Sequence, residues 1–97
     1  MIPSASMLVQ AQVKVFGKVQ GVFYRRWAQE TAIRMGLGGW VRNAHDGAVE
    51  LRLQGQKEDV EAFIAAAKAG PAAAEVERVD VTWEPFTEAT SSFMVKD

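Results

Sequence analysis

Apolar and polar residues alternate at the start of the chain. Val9, Ala11, Val13 and Val15 fall to one side, and Gln10, Gln12 and Lys14 to the other. A period of two predicts a half-buried strand. The period changes at Tyr24, where Tyr24, Ala28, Thr31, Ala32 and Met35 share one helical stripe and Gly36 follows as a C-cap. Trp40 and Val41 read as a short strand and "HDG" as a turn. Val49, Leu51 and Leu53 then face one way on a returning strand, which makes a hairpin. "KEDVEAFIAAAKAG" predicts a second helix with Val60, Phe63, Ile64 and Ala67 inward, ended by Gly70-Pro71. Val79, Val81 and Trp83 alternate once more, and "SSFMVKD" reads as a short last strand.

Each helix is apolar on one side only, so the two must share one face of a sheet. The expected fold is α+β: a ferredoxin-like βαββαβ sandwich, two helices on one face of an antiparallel sheet, with a short extra C-terminal strand. Residues 1–8 are small, polar and aperiodic, and read as a flexible N-terminal extension. Residues 9–97 read as a single domain.

Composition removes several chemistries. The chain has no cysteine, hence no disulfide framework, thiol nucleophile or thiolate metal site. Its one histidine, His45, argues against a zinc site, which wants three or four ligands. "MIPSASM" lacks the basic start and long apolar stretch of a signal peptide, so the expected location is the cytoplasm. Net charge is only −1, but charge is unevenly placed. Residues 1–43 carry six basic side chains against one acid, Glu30, while residues 57–97 carry nine acids against four bases. The first half looks built for an anion, and the second like solubilising surface.

The stretch "GKVQGVFYRR" concentrates that charge where the first helix begins. The helix N-terminus is already the positive end of the macrodipole, so arginines there are locally disfavoured. A phosphate in the loop reverses the sign: orphan N–H groups, two glycines and a guanidinium would all favour it. An ordinary glycine turn with exposed arginines fits the same spacing. The stretch matches neither common nucleotide-binding glycine motif. Asn43, at the expected end of a strand, is either a turn residue or an amide able to orient a water. His45 and Asp46 read as hairpin-turn residues. Of Tyr24, Trp27, Trp40 and Trp83, most read as core, because they do not form an adjacent pair of sheet positions of the kind that stacks bases.

Two stretches together resemble one family. "GKVQGVFYR" is similar to the acylphosphatase signature G-x-V-Q-G-V-x-[FY]-R, and "GLGGWVRNAHDGAVE" to its G-L-x-G-W-V-x-N-x-x-D-G-x-V-E signature. The resemblance runs over about residues 9 to 95. It implies hydrolysis of acyl phosphates to a carboxylate and inorganic phosphate, without metal or cofactor. It implies that Arg25 binds the phosphoryl group together with the backbone N–H groups of Gln20, Gly21, Val22, Phe23 and Tyr24. It implies that Asn43 positions the attacking water. Arg26 lies outside the signature and inherits no role. The expected partners are a small acyl phosphate and inorganic phosphate, as product or competing ligand. A nucleic acid or membrane partner is not expected, and the protein is expected to be a monomer. The alternative is a non-catalytic anion-binding or regulatory module on the same fold.

Overall fold

The computed structural model describes residues 7–90 and 92–96. Of the expected N-terminal extension, residues 1–6 lie outside that range. Leu8, at its end, already pairs with Gln56. The elements are β1 (Leu8–Lys18), α1 (Tyr24–Arg34), β2 (Gly38–Asn43), β3 (Val49–Gln56), α2 (Lys57–Ala67), β4 (Glu75–Glu84) and β5 (Phe93–Lys96). They follow the βαββαβ order with a short fifth strand.

The sheet order is β4-β1-β3-β2-β5. Antiparallel pairing joins the first four strands in that order. The edge strand β5 differs from the expected antiparallel sheet, because it runs parallel to β2. The direction follows from the connection. β4 runs opposite to β2, and the chain turns back over the sheet end before β5. Gln54 secures that turn: its side chain donates to the Glu88 carbonyl at 2.6 Å and accepts from the Thr90 N–H at 3.1 Å. It also donates to Gln10 Oε1 at 2.6 Å, so two buried glutamines satisfy one another instead of costing unpaired polar groups.

Alternation decides which face is core. Ala11, Val13, Val15, Val41, Val49, Leu51 and Leu53 are buried on the helix side. α1 meets them through Tyr24, Ala28 and Ala32, and α2 through Val60, Phe63 and Ala67. Each such valine, leucine or phenylalanine side chain is worth about 1.5–3 kcal/mol of burial. Ile64 and Met35, expected inward, are only partly buried at the edge of this core. α1 ends as its sequence suggests. Gly36 takes φ 74, Leu37 N–H donates to Ala32 O and Gly36 N–H to Ile33 O, a Schellman stop.

The aromatic residues divide. Tyr24 and Trp27 stack edge-on at 5.2 Å between centroids, and Trp27 meets Phe63 at 5.8 Å. Trp40 and Trp83 do not join the core. Trp40 points to the open sheet face, with the Arg42 and Arg52 guanidiniums and the Lys96 ammonium at 4.9–5.9 Å from its ring. Trp83 stays 47% exposed because β4 is an edge strand that neither helix covers fully.

Tyr24 also links the two helices. Its buried hydroxyl donates to the Ala67 carbonyl at 2.7 Å, at the C-terminal end of α2 where helix carbonyls lack partners. Burial pushes its pKa well up, so it stays protonated and donating through the working range. Tyr24→Phe should lower unfolding free energy by about 1–2 kcal/mol, since a buried carbonyl loses its partner. Urea unfolding should show a lower midpoint at unchanged slope.

Candidate active site

The loop between β1 and α1 is held by its side chains. Val19, Val22 and Tyr24 are buried in the core, while Gly21 and Phe23 between them are exposed. Gln20 reaches across to the β2–β3 turn and donates to both the Ala44 and Ala48 carbonyls, each at 2.8 Å. That leaves the backbone amides uncommitted. Among the described residues, the Gln20–Tyr24 N–H groups make no hydrogen bond of good geometry to a protein acceptor, although the chain turns tightly over 20–23.

Two local features keep them so. Gly21 sits at φ 75, a left-handed conformation that side chains rarely adopt, with open space around it. Phe23 is the N-cap of α1 and also left-handed, at φ 65. A serine or aspartate N-cap would use its oxygen to satisfy first-turn amides. Phe23 has no such oxygen, and α1 has no acidic residue in its first turn. The helix therefore opens on bare N–H groups.

These groups border a hollow of about 530 Å³ lined by Val19, Gly21, Phe23, Tyr24, Arg25, Arg26, Gln29, Asn43 and Val95. Arg25 is half-buried on its wall, and its guanidinium donates to the Lys96 carbonyl at 3.0 Å. Among the described residues it pairs with no carboxylate. Arg26 is more exposed and faces Glu30 one turn on, at 3.6 Å. Asn43 closes β2, and its side chain makes no hydrogen bond among the described residues. Its amide is thus available to a water or ligand.

The expected site residues therefore meet at one place. Gly21, Phe23, Tyr24, Arg25 and Asn43 line the hollow directly. Gln20 and Val22 do not line it with side chains. Gln20 grips the neighbouring turn, and Val22 anchors the loop from below. Val19, Arg26, Gln29 and Val95 also line it, and none of the four was an expected site residue. Gln29 donates to the Phe93 carbonyl at 2.9 Å, so α1 holds β5 at this wall. Nothing in a four-residue strand foretold that parallel neighbour of β2.

His45 and Asp46 occupy the turn, as expected. Ala44 N–H donates to Ala48 O at 2.8 Å, and Ala48 N–H to Asp46 Oδ1 at 3.1 Å. Asp46 also pairs with Lys14 at 2.8 Å. With Arg42, Asn43 and Glu50 they border a second hollow, of about 560 Å³, beyond Asn43. Among the described residues no group of three or more His, Cys, Asp or Glu is set to hold a metal ion. No described helix is long and apolar enough to cross a membrane.

The acylphosphatase family model matches residues 11–95. The chain belongs to the acylphosphatase family. A relative named acylphosphatase from Azoarcus sp. is 50% identical over 78% of each chain. Another, from Pyrobaculum islandicum, is 44% identical over 90% of this chain and 93% of its own. The crystal structure of acylphosphatase from Bacillus subtilis matches with a TM-score of 0.89 at 34% identity, covering 94% of this chain and all of the other. The acylphosphatase fold thus accounts for the whole sheet and both helices.

The Lys14–Asp46 pair sets a pH expectation. The Lys14 ammonium, and then the Ala48 amide, hold the Asp46 carboxyl below its ordinary 3.8, and Asp46 in turn raises Lys14 above 10.5. A depressed carboxyl contributes stability that is present above the unfolded value and lost as pH falls through the folded one. A raised ammonium contributes below its unfolded value and loses that as pH rises through the folded one. Asp46→Asn keeps an acceptor for Ala48 but removes the charge. Its melting temperature should sit below wild type between about pH 4 and 10 and converge outside that window, with a gap that shrinks in salt.

Proposed function

We propose that this chain hydrolyses the carboxyl–phosphate bond of acyl phosphates, giving a carboxylate and inorganic phosphate. One observation supports this reading above the others. Unpartnered loop amides, Arg25 and the free amide of Asn43 open on the same hollow. The phosphoryl group would lie on the N–H groups of Gln20, Gly21, Val22, Phe23 and Tyr24, with Arg25 on its oxygens. Asn43 would hold the attacking water.

The chemistry suits so spare a site. Water oxygen bonds to phosphorus in line as the bond to the acyl oxygen breaks, and that electron pair leaves on a carboxylate. A carboxylate is a weak base and needs no general acid. Phosphoryl transfer depends mostly on positioning and charge stabilisation, which fixed N–H dipoles and a guanidinium supply without a metal or cofactor. The proton of water passes to a phosphate oxygen of the substrate itself, because Asp46 is engaged by Lys14 and the Ala48 N–H and neither it nor His45 lines this hollow. In the same reading the protein is a cytoplasmic monomer that acts on a small molecule, with inorganic phosphate as product and competing ligand. It uses no nucleic acid or membrane. Its net charge of −1 and its paired surface ions support that part.

Hydrolysis of benzoyl phosphate, followed by ultraviolet absorbance with EDTA present, tests this. Wild type should be active. Arg25→Ala and Asn43→Ala should each lose about 10²–10³ in kcat, the usual cost of one transition-state donor. His45→Ala and Asp46→Ala should retain activity. Phosphate should raise the melting temperature of wild type more than that of Arg25→Ala. A wild type that binds phosphate but hydrolyses nothing would be an anion-binding module instead.

A further inference from the structure

Two hydrogen bonds join α1 to β5, and both donors line the first hollow. Arg25 donates to the Lys96 carbonyl at 3.0 Å, and Gln29 to the Phe93 carbonyl at 2.9 Å. The donors are four residues apart on α1, so they lie one above the other on a single helix face. The acceptors are the last and first residues of β5. The strand is thus laced to the helix at both ends. Its other holds are few among the described residues. It is four residues long, lies at the sheet edge and pairs only with β2. Phe93 is its one buried side chain, while Met94 and Val95 are exposed. The Lys96 ammonium rests over the Trp40 ring at 4.9 Å, but on the sheet face away from the helices, where it cannot fix the gap between α1 and β5.

Resting on the reading above, we propose that Gln29 is a positioning residue for Arg25. It acts through β5 rather than on the substrate. Its bond to Phe93 sets the distance between helix and strand, and that distance decides whether the Lys96 carbonyl reaches the guanidinium. Arg25 needs such a hold. An arginine carries much rotamer freedom, and among the described residues Arg25 has no carboxylate to orient it. Held by Lys96, the guanidinium is oriented before a phosphoryl group arrives, and a small misplacement of such a group is costly in rate. A glutamine suits this task, because its amide donates without adding charge beside a site for an anion. The plainer role for the same bond is structural, one half-buried side chain satisfying one carbonyl. The two roles separate cleanly. A structural bond is lost at the same cost whether or not Arg25 is present. A positioning bond has nothing left to position once Arg25 is gone.

The test is a double-mutant cycle of Gln29→Met and Arg25→Ala, assayed on benzoyl phosphate well below the melting range. Methionine keeps the length of the side chain and removes its donor. Gln29→Met alone should lose about 5- to 20-fold in kcat/KM, mostly in kcat, within the range of directly coupled side chains. In the Arg25→Ala background the same substitution should change the residual rate by less than about twofold, as for residues that act as a unit. The rise in melting temperature that inorganic phosphate produces should be smaller in Gln29→Met than in wild type. It should be the same in Arg25→Ala with and without Gln29→Met. Equal fold-losses in both backgrounds, or an undiminished rate in Gln29→Met, would overturn the positioning role and leave the hydrolase reading standing. A wild type inert toward benzoyl phosphate would overturn the hydrolase reading, and the phosphate shifts would then decide the role of Gln29 alone. Equal shifts in wild type and Gln29→Met would overturn it.

Discussion

Everything at this site depends on backbone N–H groups that have no well-formed protein partner among the described residues. A helix N-terminus has four such groups, and most proteins satisfy them with a capping side chain. Here the loop is secured by other means. Val19, Val22 and Tyr24 are sunk in the core, and Gln20 grips two carbonyls of the neighbouring turn. The side chains hold the loop, so the amides need not. The groups are fixed before any ligand arrives, and fixed dipoles need no reorganisation at the moment of reaction. The strain at Phe23 and the need for glycine at position 21 are consequences of the same arrangement.

The sheet then brings the remaining parts to that helix end. β2 and β5 run parallel, with Arg42 opposite Lys96. Their last residues therefore emerge on the same rim, Asn43 from one and the Lys96 carbonyl from the other. An antiparallel β5 would put its start there instead, and Arg25 would lose the carbonyl that aims it. The short fifth strand, which adds little to the core, is thus part of the construction of the site.

Much of this was legible in the sequence. Periods of two and 3.6 located β1, α1, β3, α2 and β4, because each has one apolar face and one polar face. Two dense signatures located Arg25, Asn43 and the loop. The unread parts have physical reasons. β5 is too short to show a period, and its parallel course depends on a crossover that no local spacing records. Trp40 and Trp83 look like core residues by type, yet their burial depends on which sheet face and which edge they occupy. Gln29, Arg26 and Val95 reach the hollow only through tertiary contacts. Residue type marked Gln20 as part of a motif, but its grip on the β2–β3 turn is a contact 24 to 28 positions away.

Charge placement completes the argument. Arg26, on the wall of the hollow, faces Glu30 at 3.6 Å, and beyond Asn43 the second hollow matches Arg42 with Glu50 at 2.9 Å and Lys14 with Asp46 at 2.8 Å. Arg25 is treated differently. Among the described residues its partner is a carbonyl, which fixes the guanidinium by hydrogen bonding without cancelling its charge. A carboxylate in that position would orient the side chain equally well but would repel a phosphate and compete with it. A chain of net charge −1 can therefore present a strongly positive point without a basic surface around it. On the proposed reading, such a point would favour a compact dianion at one spot over an extended polyanion across a face.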